Sequence, residues 1–137
     1  MESYNRDKLK DILKKAEEER YKLKHPYVGS EHLFLALVKS KNSLSEYLNK
    51  YNLNYESFKK ELLNVVGSCK KNNEVNLYTP LLRKIINKYE SKNDNKEYLY
   101  EDMFLSILDE GEGIAVRIFI KMNIDLEEIY HPYLLHS

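Results

Sequence analysis

Two stretches decide the fold: Glu31-His32-Leu33-Phe34-Leu35-Ala36-Leu37 and Glu101-Asp102-Met103-Phe104-Leu105-Ser106-Ile107, which align at an offset of 70 residues. In the first, Leu33 to Val38 is apolar almost all round, the pattern of a central helix buried on most sides. Ala, Leu and helical flanks disfavour a strand. One residue is then inserted at the turn, and Leu48, Leu53 and Phe58 match Phe119, Ile124 and Ile129 at an offset of 71. A period of this kind means duplication of one structural unit.

Working outward, Leu9, Ile12, Leu13 and Ala16 form one stripe of a first helix that ends near Lys24, just before His25-Pro26. Leu44, Tyr47, Leu48 and Tyr51 mark a third helix. A fourth runs from an Asn54 cap through Phe58, Leu62, Leu63 and Val66 to Gly67, a helix stop. The polar run from Ser68 to Glu74 breaks the periodicity and reads as a surface linker. Thr79-Pro80 then opens a new helix with a cap residue and a proline at the first helical position, continuing through Leu82, Ile85, Ile86 and Tyr89. Asp125, with Glu128 three residues on, caps the last helix reciprocally. The expected fold is all-α: two tandem four-helix repeats packed as one globular domain over 1–137, with units at about 5–67 and 78–135 and a linker at about 68–77.

At 137 residues there is room for one core and no second catalytic domain. Twenty-two basic and twenty-two acidic residues cancel, so no global field draws the chain to nucleic acid or anionic lipid. Cys69 is the only cysteine, which rules out an intramolecular disulfide and a cysteine-based zinc site and fits a reducing compartment. The N-terminus lacks an apolar signal core and no apolar run is long enough to span a bilayer, so a soluble cytoplasmic protein is expected, with neither nucleic-acid nor membrane partners.

Catalytic and cofactor constellations are missing. His25, His32, His131 and His136 have no metal-ligand spacing. The four glycines, Gly29, Gly67, Gly111 and Gly113, cannot supply a phosphate loop for ATP. Glu110-Gly111-Glu112-Gly113 lacks the alternating oxygen ligands of a calcium loop and reads as a turn between helices. No metal, cofactor or catalytic residue is expected. An enzyme using Glu31 and Glu101 as a carboxylate pair is the alternative from another class, but it has no nucleophile or partner base.

Gly29-Ser30-Glu31-His32-Leu33-Phe34-Leu35-Ala36-Leu37, Tyr78-Thr79-Pro80 and Glu110-Gly111-Glu112-Gly113-Ile114-Ala115-Val116-Arg117 together carry a resemblance that covers nearly the whole chain. They resemble the duplicated N-terminal domain of Clp-type AAA+ unfoldases, the ClpC and ClpA type, whose first unit reads approximately Gly-Thr-Glu-His-Leu-Leu-Leu-Gly-Leu. The second unit departs from that pattern, with Leu99-Tyr100-Glu101-Asp102 in place of Gly-Thr-Glu-His and a shorter segment, 91–96, before it.

The resemblance implies a non-catalytic protein-binding module that docks clients or Clp adaptors for a Clp ATPase and protease, including proteins marked by phosphoarginine. A free-standing domain that competes with the chaperone for clients is the alternative placement. The implied ligand site in the first repeat is Gly29, Ser30, Glu31 and His32, where helix N–H groups and the Ser30 hydroxyl attract phosphate and Glu31 pairs with the guanidinium. Ordinary capping by Ser30 would explain the same residues, and a histidine in the first turn of a buried helix is more often a packed, hydrogen-bonded residue. The counterpart in the second repeat is Tyr100, Glu101 and Asp102, where Tyr100 lacks the short hydroxyl and Asp102 repels phosphate. Tyr98, Tyr100, Tyr130 and Tyr133 are a candidate exposed docking surface; Tyr47, Tyr51 and Tyr89 are expected to pack.

Overall fold

The computed structural model describes the backbone of residues 2–69, 74–91 and 99–134, and the side chains of 8–69, 74–90 and 99–130. Eight helices follow one another among these residues: α1 (Glu2–Leu23), α2 (Ser30–Lys39), α3 (Ser43–Asn49), α4 (Tyr55–Val66), α5 (Pro80–Ser91), α6 (Leu99–Glu110), α7 (Ile114–Lys121) and α8 (Leu126–Leu134). The expected all-helical class and the four-plus-four order are both present.

Helix starts follow local chemistry. Asn42 and Asn54 cap α3 and α4, each accepting from the backbone N–H of a serine three residues on, Ser45 at 2.9 Å and Ser57 at 3.0 Å. Each serine hydroxyl accepts from the asparagine N–H in return, at 2.9 and 3.0 Å. Thr79 Oγ1 accepts from Leu82 N–H at 3.1 Å ahead of Pro80, and Asp125 Oδ1 accepts from Glu128 N–H at 3.1 Å. Gly67 ends α4 at φ 73°, its N–H reaching Leu63 O at 2.9 Å.

The repeat is visible in the backbone itself. Asn52 and Asn123, 71 residues apart, both take left-handed φ values, 58° and 59°. Leu53 N–H bonds Leu48 O at 3.2 Å and Ile124 N–H bonds Phe119 O at 3.1 Å, so both third helices end in the same closing bond. Tyr51 falls beyond the end of α3, in this turn.

The core lies where the units meet. Central helix α2 packs on α1, α3, α4, α6 and α7, and its residues from Ser30 to Val38 are all buried. Phe34 and its repeat counterpart Phe104 meet at 6.0 Å between ring centroids. Phe58 and Phe119 close the group, 4.6 and 4.8 Å from Phe34. All four rings are fully buried. The α1 stripe holds for Leu9, Ile12 and Ala16, whereas Val66 at the end of α4 is 41% exposed.

The connecting segment is anchored at both described ends. Cys69 N–H bonds Lys24 O at 3.0 Å, and a parallel bridge joins Val28 to Tyr78 through Val28 N–H to Leu77 O (2.8 Å) and Thr79 N–H to Val28 O (2.9 Å). The run leading into α2 and the run leading into α5 therefore lie side by side. Of the polar run read as a linker, residues 70–73 lie outside the described residues.

Candidate functional site

The start of α2 differs from a serine-capped helix. Ser30 is already in the helix and Gly29 is the cap residue, in extended conformation. Gly29 N–H donates to His32 Nδ1 at 2.9 Å, so the histidine ring supplies the reciprocal cap that a Glu or Gln usually makes. That places an acceptor at Nδ1 and a proton at Nε2. His32 Nε2 meets His25 Nδ1 at 2.8 Å, and His25 Nε2 meets Gly67 O at 2.7 Å. Only one arrangement of protons satisfies the chain: both rings neutral, each carrying its hydrogen on Nε2 and donating toward Gly67. Burial, then His25, then the positive charge of Arg20 hold the pKa of His32 down to about 3, and burial lowers that of His25.

Arg20 is 1% exposed beneath this chain, donating to His25 O at 3.4 Å and to Asn76 Oδ1 at 2.8 Å. The end of α1, the start of α2, the end of α4 and the linker are thereby tied into one polar cluster. One residue earlier, buried Glu19 accepts from Lys39 Nζ at 3.0 Å and Tyr55 Oη at 2.7 Å, joining α1 to α2 and α4. Burial and the Glu19 bond push the Tyr55 phenol up to about 12.

Glu31 occupies the opposite side of the cap from His32. A Cβ on Gly29 would fall 2.1 Å from Glu31 Oε1, so the carboxylate lies folded back into the space that a side chain at Gly29 would take. It is 6% exposed and no other side chain is bonded to it among the described residues. Desolvation lifts its pKa to about 7, against the pull of its own backbone N–H. Next to it, Ser30 is 2% exposed, and a Cβ on Gly113 would lie 3.1 Å from Ser30 Oγ and 2.3 Å from Leu81 Cδ2. Gly113, at the start of α7 with φ 96°, thus covers the start of α2 with bare backbone.

The start of α6 is built on the same plan with different parts. Glu101 is 7% exposed and accepts a hydrogen bond from the Ser43 hydroxyl, at the start of α3. Each central helix is therefore covered at its start by the third helix of the other unit, with glycine in one case and serine in the other. Tyr100 packs partly buried against the core, and the carbonyl of Asp102 accepts from Ser106 Oγ at 2.9 Å.

The structure brings Gly29, Ser30, Glu31 and His32 together and Glu101 beside Ser43; no bond between Glu31 and Glu101 is present among the described contacts. His32 has both ring nitrogens engaged inside the protein, the packed arrangement that a first-turn histidine more often adopts. A cleft of about 1090 Å³ lies elsewhere, lined by Tyr27, Leu77, Tyr78, Arg83, Asp109 and neighbours, and by none of the seven candidate residues. Tyr130 donates to Asp109 at 2.9 Å, whereas the side chains of Tyr98 and Tyr133 lie outside the described residues.

Among the described residues no cluster of three or more His, Cys, Asp or Glu side chains could hold a metal ion, and no helix is long and apolar enough to cross a membrane. Arg20, His25 and Ser43 escaped the sequence reading. Arg20 and Glu19 do continue the stripe of Leu9, Ile12 and Ala16, a signal that charge lies on the buried face.

Comparison with known proteins agrees with this architecture. The chain is 27% identical over 126 residues to the negative regulator of genetic competence ClpC/MecB of Bacillus subtilis, covering 89% of this chain and 16% of that protein. It is 26% identical over 127 residues to the ATP-dependent Clp protease ATP-binding subunit ClpC of Staphylococcus aureus, covering 88% of this chain and 15% of that one. The chain thus spans about 15% of the length of these relatives. The family described as the Clp repeat (R) N-terminal domain matches residues 6–95, and the chain belongs to that family.

Proposed function

We propose that this chain is a non-catalytic docking module that presents protein clients or adaptors to a Clp-type unfoldase, and that the start of α2 reads phosphorylated arginine. The observation that carries this reading is Glu31: a carboxylate at the positive end of a helix, almost wholly buried, with no cationic partner and with its pKa lifted to about 7. Such a carboxylate destabilises the fold while unpaired, and a planar guanidinium is the group that rewards it most, through two parallel charge-assisted bonds. Docking turns Glu31 outward from Gly29. That movement uncovers first-turn N–H groups of α2, where the phosphate attached to the guanidinium is favoured by the helix dipole. Both relatives carry ClpC in their names, and the family match supports the same assignment.

Titration calorimetry with a phosphoarginine peptide, its unphosphorylated arginine counterpart and a phosphoserine peptide tests it. Binding of the first only, lost in Glu31→Ala, is the expected result. Equal binding of all three, or of none, refutes the phosphoarginine reading.

A further inference from the structure

The two helix starts differ in what the opposite unit lays over them, and this decides how many ligands the module takes. Over Ser30 stands Gly113, with bare backbone against Ser30 Oγ and Leu81, and among the described residues Glu31 has no other side chain bonded to it. Over Glu101 stands Ser43, which is itself solvent-exposed at the first position of α3 and donates its hydroxyl proton to the Glu101 carboxylate. Resting on the docking reading above, we infer that Ser43 is an internal occupant of the second site, so that the module accepts a single phosphorylated guanidinium, at Glu31.

The chemistry is a competition for one carboxylate. The Ser43 hydroxyl satisfies an oxygen of Glu101 that an incoming guanidinium needs for two-pronged pairing, whereas no side chain among the described residues is bonded to Glu31. Because Ser43 belongs to α3 and Glu101 to α6, the group that competes for the carboxylate comes from the other unit; at the first site Glu31 has only to leave its own helix end. Tyr100 and Asp102 add to this, since Tyr100 lacks the short hydroxyl that Ser30 has and the Asp102 carboxylate repels phosphate. Ser43 is therefore a specificity-determining residue for valency, acting from the unit that does not carry the site.

The test uses free phosphoarginine as the probe and compares the unaltered chain with Ser43→Gly, which removes the hydroxyl bonded to Glu101. Calorimetry is expected to return one site for the unaltered chain and two for Ser43→Gly, the second vanishing in Ser43→Gly/Glu101→Gln. An arm that needs no ligand follows urea unfolding of Ser43→Ala, Glu101→Gln and the double variant. The midpoint shift of the double is expected to fall short of the sum of the singles. Two sites in the unaltered chain, one in Ser43→Gly, or additive midpoint shifts would overturn the inference and leave the docking reading standing. No binding by either chain, with coupled midpoints, would overturn the docking reading and the valency claim with it, reducing Ser43 and Glu101 to a clasp between units.

Discussion

The first and second units share a core and diverge at the starts of their central helices. Phe34 and Phe104 face each other in the middle, and Asn52 and Asn123 make the same left-handed turn. At the start of α2, however, a capping histidine, a second histidine and Gly67 form a polar chain, while Glu31 is buried alone. At the start of α6, Asp102 stands where the histidine would be and Glu101 is bonded to Ser43. The contrast teaches that packing and the candidate site draw on different residues of the same helix: its middle makes the core, its first turn carries what sets the two units apart.

The sharpest way to break the comparison is to hollow its shared centre. Phe34→Ala should cost about 3–5 kcal/mol, and Phe104→Ala less, because Phe34 touches three rings of the cluster and Phe104 two. Urea unfolding measures both, and equal losses would show that the centre is symmetric in energy as well as in position. Next in size is the covering glycine. Gly113→Ala meets both a φ of 96° and Leu81 Cδ2 at 2.3 Å and should cost about 2–3 kcal/mol. Gly67→Ala at φ 73°, with open space around it, should cost only about 1 kcal/mol.

Acidity separates the units further. Between pH 4.5 and 7 the folded chain keeps a proton on Glu31 that the unfolded chain has released, so this group makes stability fall as pH rises. From pH 6.5 down to about 3 the unfolded chain binds a proton on His32 that the folded chain refuses, so this group makes stability rise with pH. His25, also lowered, acts in the same direction. The opposing slopes leave a shallow profile between pH 4.5 and 6.5. Glu31→Gln should convert it into a steady rise and leave the variant about 3 kcal/mol more stable than the parent at pH 8, with no gain at pH 4. A pH series of unfolding midpoints checks this, and an unchanged profile would show that Glu31 is not held neutral by the fold.

The smallest effect contrasts two phenols. Tyr55→Phe removes a bond to buried Glu19 and should cost about 1 kcal/mol. Tyr130→Phe removes an exposed bond to Asp109 and should cost no more than about 0.5 kcal/mol. Thermal unfolding of both variants tests the ordering.

Most of the fold was legible in the sequence because helices announce themselves by period and by punctuation. Leu33 to Val38, the Asn54 and Thr79 caps and the Gly67 stop each act on neighbours within four residues, a range that a sequence displays directly. The candidate residues of the first site were legible as a group for the same reason. Their environment was not. Whether Ser30 or Gly29 caps α2 depends on where a histidine ring folds, and that ring is held by His25 and, through it, by Gly67, 42 residues further on from His25. Ser43 and Glu101 are 58 residues apart and on different units, so no local pattern joins them. Buried Arg20 was hidden because a charge on an apolar stripe reads as a gap until its acceptors, His25 O and Asn76, are placed.

The four phenylalanines have one more consequence. Phe34 and Phe104, equivalent positions of the two units, meet each other as equivalent residues do where identical subunits join. Had the units stayed separate chains, any mutation at the start of a central helix would have struck both copies of the site at once. Joined in one polypeptide, they can drift independently: a serine can bond one helix start while a glycine lies over the other, and the shared aromatic centre holds the units together either way. Gene fusion here does more than save an association step. It gives selection two knobs where a symmetric pair has one.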